Sequence, residues 1–347
     1  MGRLGRTSVS PAGGVLRFFL RRERSRPGDP GLALAGLAVL VVGALLVAGG
    51  PASAVSLTFV PATDSPYGAG TAPAAIAYGE FNTGVPPFQL DMAVANSGSN
   101  NVTIFLGDNT NKKFTVTGSP IPVGTNPRGI VAQGFDFAVD THVDLAVANS
   151  GSDNVTILKG DGTGGFPTSS TITVGSDPRA IAVGSFDSNS QNNLFFDLAV
   201  ANFGSDNITI LLSNAGNGTF TASTLSLPIN ADPTALLAFD LDFDNDTDLA
   251  VANSGTDNVS MFLSNGDGTF AQAPGSPFAA GDGPSGIVSN QFDNDALGNL
   301  DLAVLNRNSN NVSIFLGNGT GLFAPLGSPI SVGASPSSID VSSFESG

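Results

Sequence analysis

The chain has 347 residues, with 13 Lys+Arg against 29 Asp+Glu, a single histidine, and neither cysteine nor tryptophan. An acidic surface repels phosphate backbones and anionic lipid, which argues against nucleic acid as a partner. No cysteine means no disulfide framework and no thiol nucleophile, and one histidine leaves no nucleophile–base pair in view, so the expectation is a protein that is not an enzyme.

The N-terminus is basic, with Arg3, Arg6, Arg17, Arg21, Arg22, Arg24 and Arg26. An uncharged apolar run, Leu32 to Ala48, and the small-residue triplet Ala52-Ser53-Ala54 follow. That order is the pattern of a secretory signal peptide. The competing reading is an uncleaved membrane anchor, although about 17 apolar residues is at the short limit for a spanning helix. The expected organisation is therefore a signal peptide or anchor over 1–54 and one domain over 55–347, placed outside the cell or on its surface. Without residues 1–54 the chain keeps six of its 13 Lys+Arg and 27 of its 29 Asp+Glu, a balance suited to gathering cations.

The domain is built from one phrase used five times. It reads DMAVANSGSNNVTIFLG from Asp91, DLAVANSGSDNVTILKG from Asp144, DLAVANFGSDNITILLS from Asp197, DLAVANSGTDNVSMFLS from Asp248 and DLAVLNRNSNNVSIFLG from Asp301. The leading aspartates lie 53, 53, 51 and 53 residues apart. A fixed period of about 50 residues with several short strands per unit signals a β-propeller. Each repeat divides into four apolar pieces bounded by Gly, Asn, Asp, Ser or Pro, which is the chemistry of strands joined by hairpins. The first piece follows a proline, as in Ile130-Val131-Ala132. The second is the Leu-Ala-Val-Ala run, the third Val-Thr-Ile-Phe-Leu or a variant, and the fourth a weaker stretch such as Thr171 to Val174. On the second piece Leu145 and Val147 share one face, Ala146 and Ala148 the other. Both faces are apolar, which predicts blades stacked face to face, with alanines making room for the neighbour's larger side chains. A two-sheet sandwich would leave one face of most strands polar.

The linker Ser-Pro-x-x-x-Gly-x-x-Pro recurs at Ser65–Pro73, Ser119–Pro127, Ser276–Pro284 and Ser328–Pro336. The domain thus holds a lone fourth strand, five full repeats and a lone first strand from Ile339 to Phe344. Either a ring closes around a two-strand remnant, or the chain is a piece of a longer array; the second is the expectation.

The loops between first and second strands carry the acidic residues. The fourth reads Asp240-Leu241-Asp242-Phe243-Asp244-Asn245-Asp246-Thr247-Asp248. Carboxylates at positions 1, 3, 5 and 9 of a tight turn, with the Asp246 carbonyl at 7, form an oxygen set suited to Ca²⁺. The second loop offers Asp136, Asp140 and Asp144 at positions 1, 5 and 9, with His142 as a loop residue. The fifth offers Gln291, Asp293, Asp295 and Asp301; the third Ser185, Asp187, Asn189 and Asp197; the first Glu80, Asn82 and Asp91. The leading aspartate persists where the loop is a poor site, so at Asp91 and Asp197 it is expected to hydrogen-bond the turn backbone. The glycine-rich turns after the third strand, such as Gly160-Asp161-Gly162-Thr163, lack a following Gly-Lys-Ser/Thr and read as hairpin turns rather than phosphate cradles. The Asn-x-Ser/Thr triplets at Asn101, Asn154, Asn258 and Asn311 match glycosylation acceptors, but they fall where a hairpin meets a strand, which is the preferred reading.

These residues, from the Asp-x-Asp-x-Asp loop through Asp-Leu-Ala-Val-Ala-Asn to Asn-Gly-Asp-Gly-Thr-Phe, resemble the FG-GAP/VCBS repeats, and the chain is similar to the calcium-binding propeller of integrin α-chains. The resemblance spans about residues 65–344. It implies an all-β propeller of four-stranded antiparallel blades. It also implies calcium ligands at Asp240, Asp242, Asp244, Asp246 and Asp248, and with less support at Asp136, Asp140 and Asp144. Such proteins bind extracellular proteins or glycans, and that adhesion or binding role is the expectation here; a structural array or a fragment of a larger surface protein is the alternative, with a polysaccharide-active enzyme ranked after it. Membrane association follows only if the N-terminal segment is retained as an anchor. Antiparallel strands put the acidic loops and the Gly-Asp-Gly turns on one rim. A partner is expected on the other rim, where Arg307 and Asp257 offer charges to reverse.

Overall fold

The computed structural model describes residues 66–83, 89–108, 113–187, 195–293, 295 and 298–341. The expected signal segment or anchor over 1–54 lies outside these residues.

Each repeat folds as one antiparallel sheet whose strands pair in sequence order. The first comprises β1 (Pro73–Gly79), β2 (Asp91–Asn96), β3 (Asn101–Asp108) and β4 (Lys113–Pro122). The second comprises β5 (Pro127–Gln133), β6 (Asp144–Asn149), β7 (Asn154–Lys159) and β8 (Thr168–Thr173). The third comprises β9 (Pro178–Gly184), β10 (Asp197–Asn202), β11 (Asn207–Ser213) and β12 (Phe220–Ser226). The fourth holds β13 (Pro233–Phe239), β14 (Asp248–Asn253) and β15 (Asn258–Ser264), with an outer edge in two pieces, β16 (Phe270–Gln272) and β17 (Phe278–Ala279). The fifth repeats that plan with β18 (Pro284–Asn290), β19 (Asp301–Asn306), β20 (Asn311–Gly317), β21 (Phe323–Pro325) and β22 (Ile330–Ser331). The divided edges coincide with Pro274 and Pro277 in one case and Pro325 and Pro329 in the other. Proline offers no N–H to a ladder and is confined to edges and breaks.

The first strands of successive sheets lie side by side, β1 by β5, β5 by β9, β9 by β13 and β13 by β18. They are the inner strands from which the sheets radiate, and the architecture is a β-propeller. The described residues contain no α-helix, only a 3₁₀ turn at Phe203–Ser205.

The sheets are held together by the expected match of small against large. Leu145 and Val147 pack with Ala93 and Ala95 of the preceding sheet. On the other face of the same strand, Ala146 and Ala148 pack with Leu198 and Val200 of the next. Ala199 and Ala201 meet Leu249 and Val251, and Ala250 meets Leu302 and Val304. The second strands of repeats two to five are buried from end to end. Burying each Leu or Val contributes on the order of 1.5–3 kcal/mol.

The fifth repeat breaks this pattern. Leu305 stands where the others have Ala95, Ala148, Ala201 and Ala252. Its face packs against Val288, Leu316, Ile330, Val332 and Ile339 rather than against a further Leu–Val pair, so a larger side chain fills the space. Ile339 belongs to the C-terminal segment. At the other end Tyr67 sets its ring edge-on to Phe105 and Phe114, and its hydroxyl accepts the Phe114 N–H at 3.1 Å. Among the described residues, 66–72 and 332–341 form no strand, so both terminal pieces cover a sheet face without joining a ladder.

The packing sets a test. Ala201→Leu should overfill the joint with Leu249 and Val251 and lower stability by about 1–3 kcal/mol, measured by urea denaturation. A variant as stable as the parent would contradict the face-to-face arrangement.

Candidate metal centre

The recurring aspartate has the same partners in all five repeats. One carboxylate oxygen accepts a backbone N–H from the loop before the second strand: Phe81 at 2.7 Å, Phe135 at 2.8 Å, Phe186 at 2.7 Å, Leu241 at 2.8 Å and Phe292 at 2.6 Å. The other accepts one from the end of the third strand: Gly107, Gly160, Ser213, Ser264 and Gly317, at 2.8–3.0 Å. Asp91, Asp144, Asp197, Asp248 and Asp301 are all buried. Burial pushes the Asp144 and Asp197 carboxyls up to about 6, against the two N–H bonds that favour the anion. Asp248 is raised to about 7, again chiefly by burial, with Asp242 and Asp244 adding to it. The role expected only for Asp91 and Asp197 therefore extends to every repeat.

These bonds also set the true register of the loops. Phe81, Phe135, Phe186, Leu241 and Phe292 are equivalent anchors, because each gives its N–H to the recurring aspartate. The residues after them, Asn82, Asp136, Asp187, Asp242 and Asp293, are therefore equivalent too. Counting back eight residues from the aspartate aligns Asp136 with Asp240; the anchor aligns it with Asp242, and Gly134 takes the place of Asp240. The second loop is two residues longer between anchor and aspartate, and spacing alone does not show where they sit.

In the fourth loop, Asp240, Asp242 and Asp244 each present a carboxylate oxygen, all within 4.8 Å of one another. No other such group of three occurs among the described residues. Asp240 uses one oxygen to accept the Asn245 N–H at 3.0 Å, and Asp244 accepts the Asp246 N–H at 2.9 Å. The remaining oxygens Oδ1 of Asp240 and Oδ1 of Asp242 are buried without a hydrogen-bond partner. Burial, then the charge of Asp244, raises the carboxyl pKa of both Asp242 and Asp246. Asn245 adopts a left-handed backbone, at φ 73°, a conformation that asparagine tolerates. Phe243 does so too, at φ 64°, which is costly for a bulky residue and was not anticipated. The Asp246 side chain lies outside the group of three, beside Gly266 of the following turn.

The second loop is arranged differently. Asp136 Oδ2 lies 3.0 Å from Lys159 Nζ, and Asp140 accepts the His142 N–H at 2.9 Å with the ring Nδ1 3.3 Å away. The fifth loop satisfies its own carboxylates: Asp293 accepts the Asp295 N–H, and Asp295 accepts the Gly298 and Asn299 N–H groups. The third-loop residue Asn189 lies outside the described residues.

The opposite rim is knitted from amides. Buried Asn96, Asn149, Asn202, Asn253 and Asn306 each donate Nδ2 to an asparagine five residues on and to a Thr or Ser seven residues on. The acceptors include Asn101, Asn154, Asn258 and Asn311, so those triplets serve the hairpin, as preferred. Left-handed Asn100, Asp153, Asp206, Asp257 and Asn310 accept backbone N–H groups from the following linker. Asp257 and Arg307 are both exposed, and Asp257 also accepts the Gly283 N–H at 2.9 Å. The signal for both networks was in the phrase itself, the first as Asn at i and i+5 with Thr/Ser at i+7, the second as Asn/Asp at i+4.

No protein-family model matches the chain, and no curated protein matches it. Solved structures do resemble it. A protein from Lactobacillus plantarum superposes with a TM-score of 0.60 at 18% identity, over 78% of this chain and 74% of that one. The periplasmic gluconolactonase PpgL of Pseudomonas aeruginosa superposes with a TM-score of 0.51 at 18% identity, over 76% and 74%. A chain of the nidogen/laminin complex covers 75% of this chain with a TM-score of 0.45 at 14% identity. The expectation that the chain is not an enzyme is withdrawn on the second of these: a propeller of similar shape is a gluconolactonase, so the missing cysteine and histidine pair do not decide the matter.

Asp197 lies in an intact copy of the buried aspartate pair of bonds. Asp197→Asn should cost about 1–3 kcal/mol, because the amide has one acceptor oxygen and turns N–H against N–H at the other. A raised carboxyl pKa means that the folded chain holds a proton the unfolded chain has released, so stability falls as pH rises from 3.8 through about 6. Denaturation between pH 4 and 7 should show that fall, and Asp197→Asn should make it shallower. An unchanged slope would contradict the assignment.

Proposed function

We propose that the chain is a secreted or surface-exposed propeller of the FG-GAP/VCBS type, stabilised by Ca²⁺ in the fourth loop and serving as a binding module for an extracellular protein or glycan. The observation that carries the metal reading is the pair of buried, partnerless oxygens, Asp240 Oδ1 and Asp242 Oδ1, beside Asp244. A buried carboxylate oxygen without a donor is costly, and a hard cation removes that cost for both at once. Asp240, Asp242, Asp244 and Asp248 would supply side-chain oxygens and Asp246 its carbonyl. The ion would neutralise the charge repelled within the loop and fix the strained turn at Phe243; no chemistry beyond binding is assigned to it.

The binding reading rests on the division of the rims. The fourth acidic loop is committed to metal, while the turns between second and third strands rest on a rigid amide network and expose Arg307. A partner engaging that rim would be sensitive to Arg307→Glu.

Calcium should raise the melting temperature, since a ligand held only by the native state stabilises it by mass action. Differential scanning fluorimetry in chelator and in millimolar Ca²⁺ reads this directly. Asp242→Ala should abolish the shift while the protein stays folded. Identical melting in chelator and in Ca²⁺ would end the metal reading.

A further inference from the structure

Lys159 is an exception within the repeat. The residue just before the one that bonds the recurring aspartate is Leu106, Leu212, Leu263 and Leu316 in the other four repeats. Three of these leucines press against Gly164, Gly268 and Gly321 of the next sheet, where a Cβ would collide with them. Lys159 presses against the equivalent Gly218. The ammonium end of its side chain, Nζ and Cε, takes the leucine's place over that glycine, and the ammonium reaches Asp136 Oδ2 at 3.0 Å and the Asn217 carbonyl at 3.5 Å.

Asp136 is the second-loop counterpart of Asp242, by the anchor register. It is 2% exposed, and its Oδ1 has no hydrogen-bond partner. A carboxylate at that depth needs a counter-charge. From this geometry we infer that Lys159 is a tethered cation, occupying in the second loop the place a divalent ion takes in the fourth, and that this loop is a latent calcium site closed by the lysine. Asp136, Asp140 and Asp144 remain its acidic residues. Removing the ammonium leaves Asp136 with no cation except one from solution.

The inference borrows its choice of ion from the calcium reading of the fourth loop, and the test separates the two. Isothermal titration with CaCl₂ would be run on the parent chain, on Lys159→Leu, and on Lys159→Met, which keeps the stem without the charge. Asp136→Asn would be added to whichever variant gains a site. The expected stoichiometry is one ion for the parent and two for each lysine variant, falling back to one with Asp136→Asn. The second ion should bring a further calcium-dependent rise in melting temperature. A parent that binds none beside lysine variants that bind one would overturn the fourth-loop reading and keep this one. The inference is overturned if neither lysine variant gains an ion, if the gained ion survives Asp136→Asn, or if the parent already loses an ion on Asp136→Asn. Failure of both lysine variants to fold in Ca²⁺ also overturns it, because calcium would then not replace the ammonium.

Discussion

The fold depends on a carboxylate buried at one end of each blade. Where the chain leaves the inner strand and where it leaves the third strand, a backbone N–H faces inward with no strand to receive it. An unpaired buried N–H is rarely tolerated. The recurring aspartate meets both groups with one side chain, in all five repeats. An alcohol or amide would serve one donor well and the other poorly; only a carboxylate offers two acceptor oxygens with no hydrogen of its own. The cost is a charge taken out of water, visible in the raised pKa values of Asp144, Asp197 and Asp248.

Once the loop end of each blade is pinned, the blades can be stacked. The anchor carbonyls of Phe81, Phe135 and Phe186 accept N–H groups from Gly164, Gly218 and Gly268 of the following sheet, at 2.8–3.1 Å. On the far rim, Asn100, Asp153, Asp206, Asp257 and Asn310 reach the next linker. Between the rims, alanine meets Leu and Val. The first three joints therefore combine polar links at both ends with an apolar contact between, which is the nearest-neighbour logic of repeat proteins. Leu305 shows the rule from its exception: where no further Leu–Val pair arrives, the alanine is replaced.

Much of this was legible in the chain. The period, the four strands and the two apolar faces follow from the spacing of Asp91, Asp144, Asp197, Asp248 and Asp301 and from simple alternation. Local patterns record local geometry well. The loop register was not legible, because two extra residues in the second loop can sit on either side of an anchor that sequence does not mark; a phenylalanine looks like core, not like a donor. The asparagine network was present as a regular spacing, but its meaning lies in which strand faces which. The link from Lys159 to Asp136 spans a whole hairpin, and only the fold brings the two together.

The acidic loops show what remains variable once the scaffold is fixed. All five share the buried aspartate, and the second, fourth and fifth gather further carboxylates in the same loop. The fifth answers with its own backbone, turning Asp293 and Asp295 onto N–H groups of the loop. The second answers with Lys159, carried in from the third strand. The fourth turns one N–H each onto Asp240 and Asp244 but has no lysine; Leu263 stands in that place, and two carboxylate oxygens are left buried and bare. Internal amides, a tethered ammonium and an external ion are physically interchangeable answers to one electrostatic demand. They differ in what they make the blade depend on: the first two are fixed by the chain, while the third would couple the stability of the blade to the composition of the solution around it.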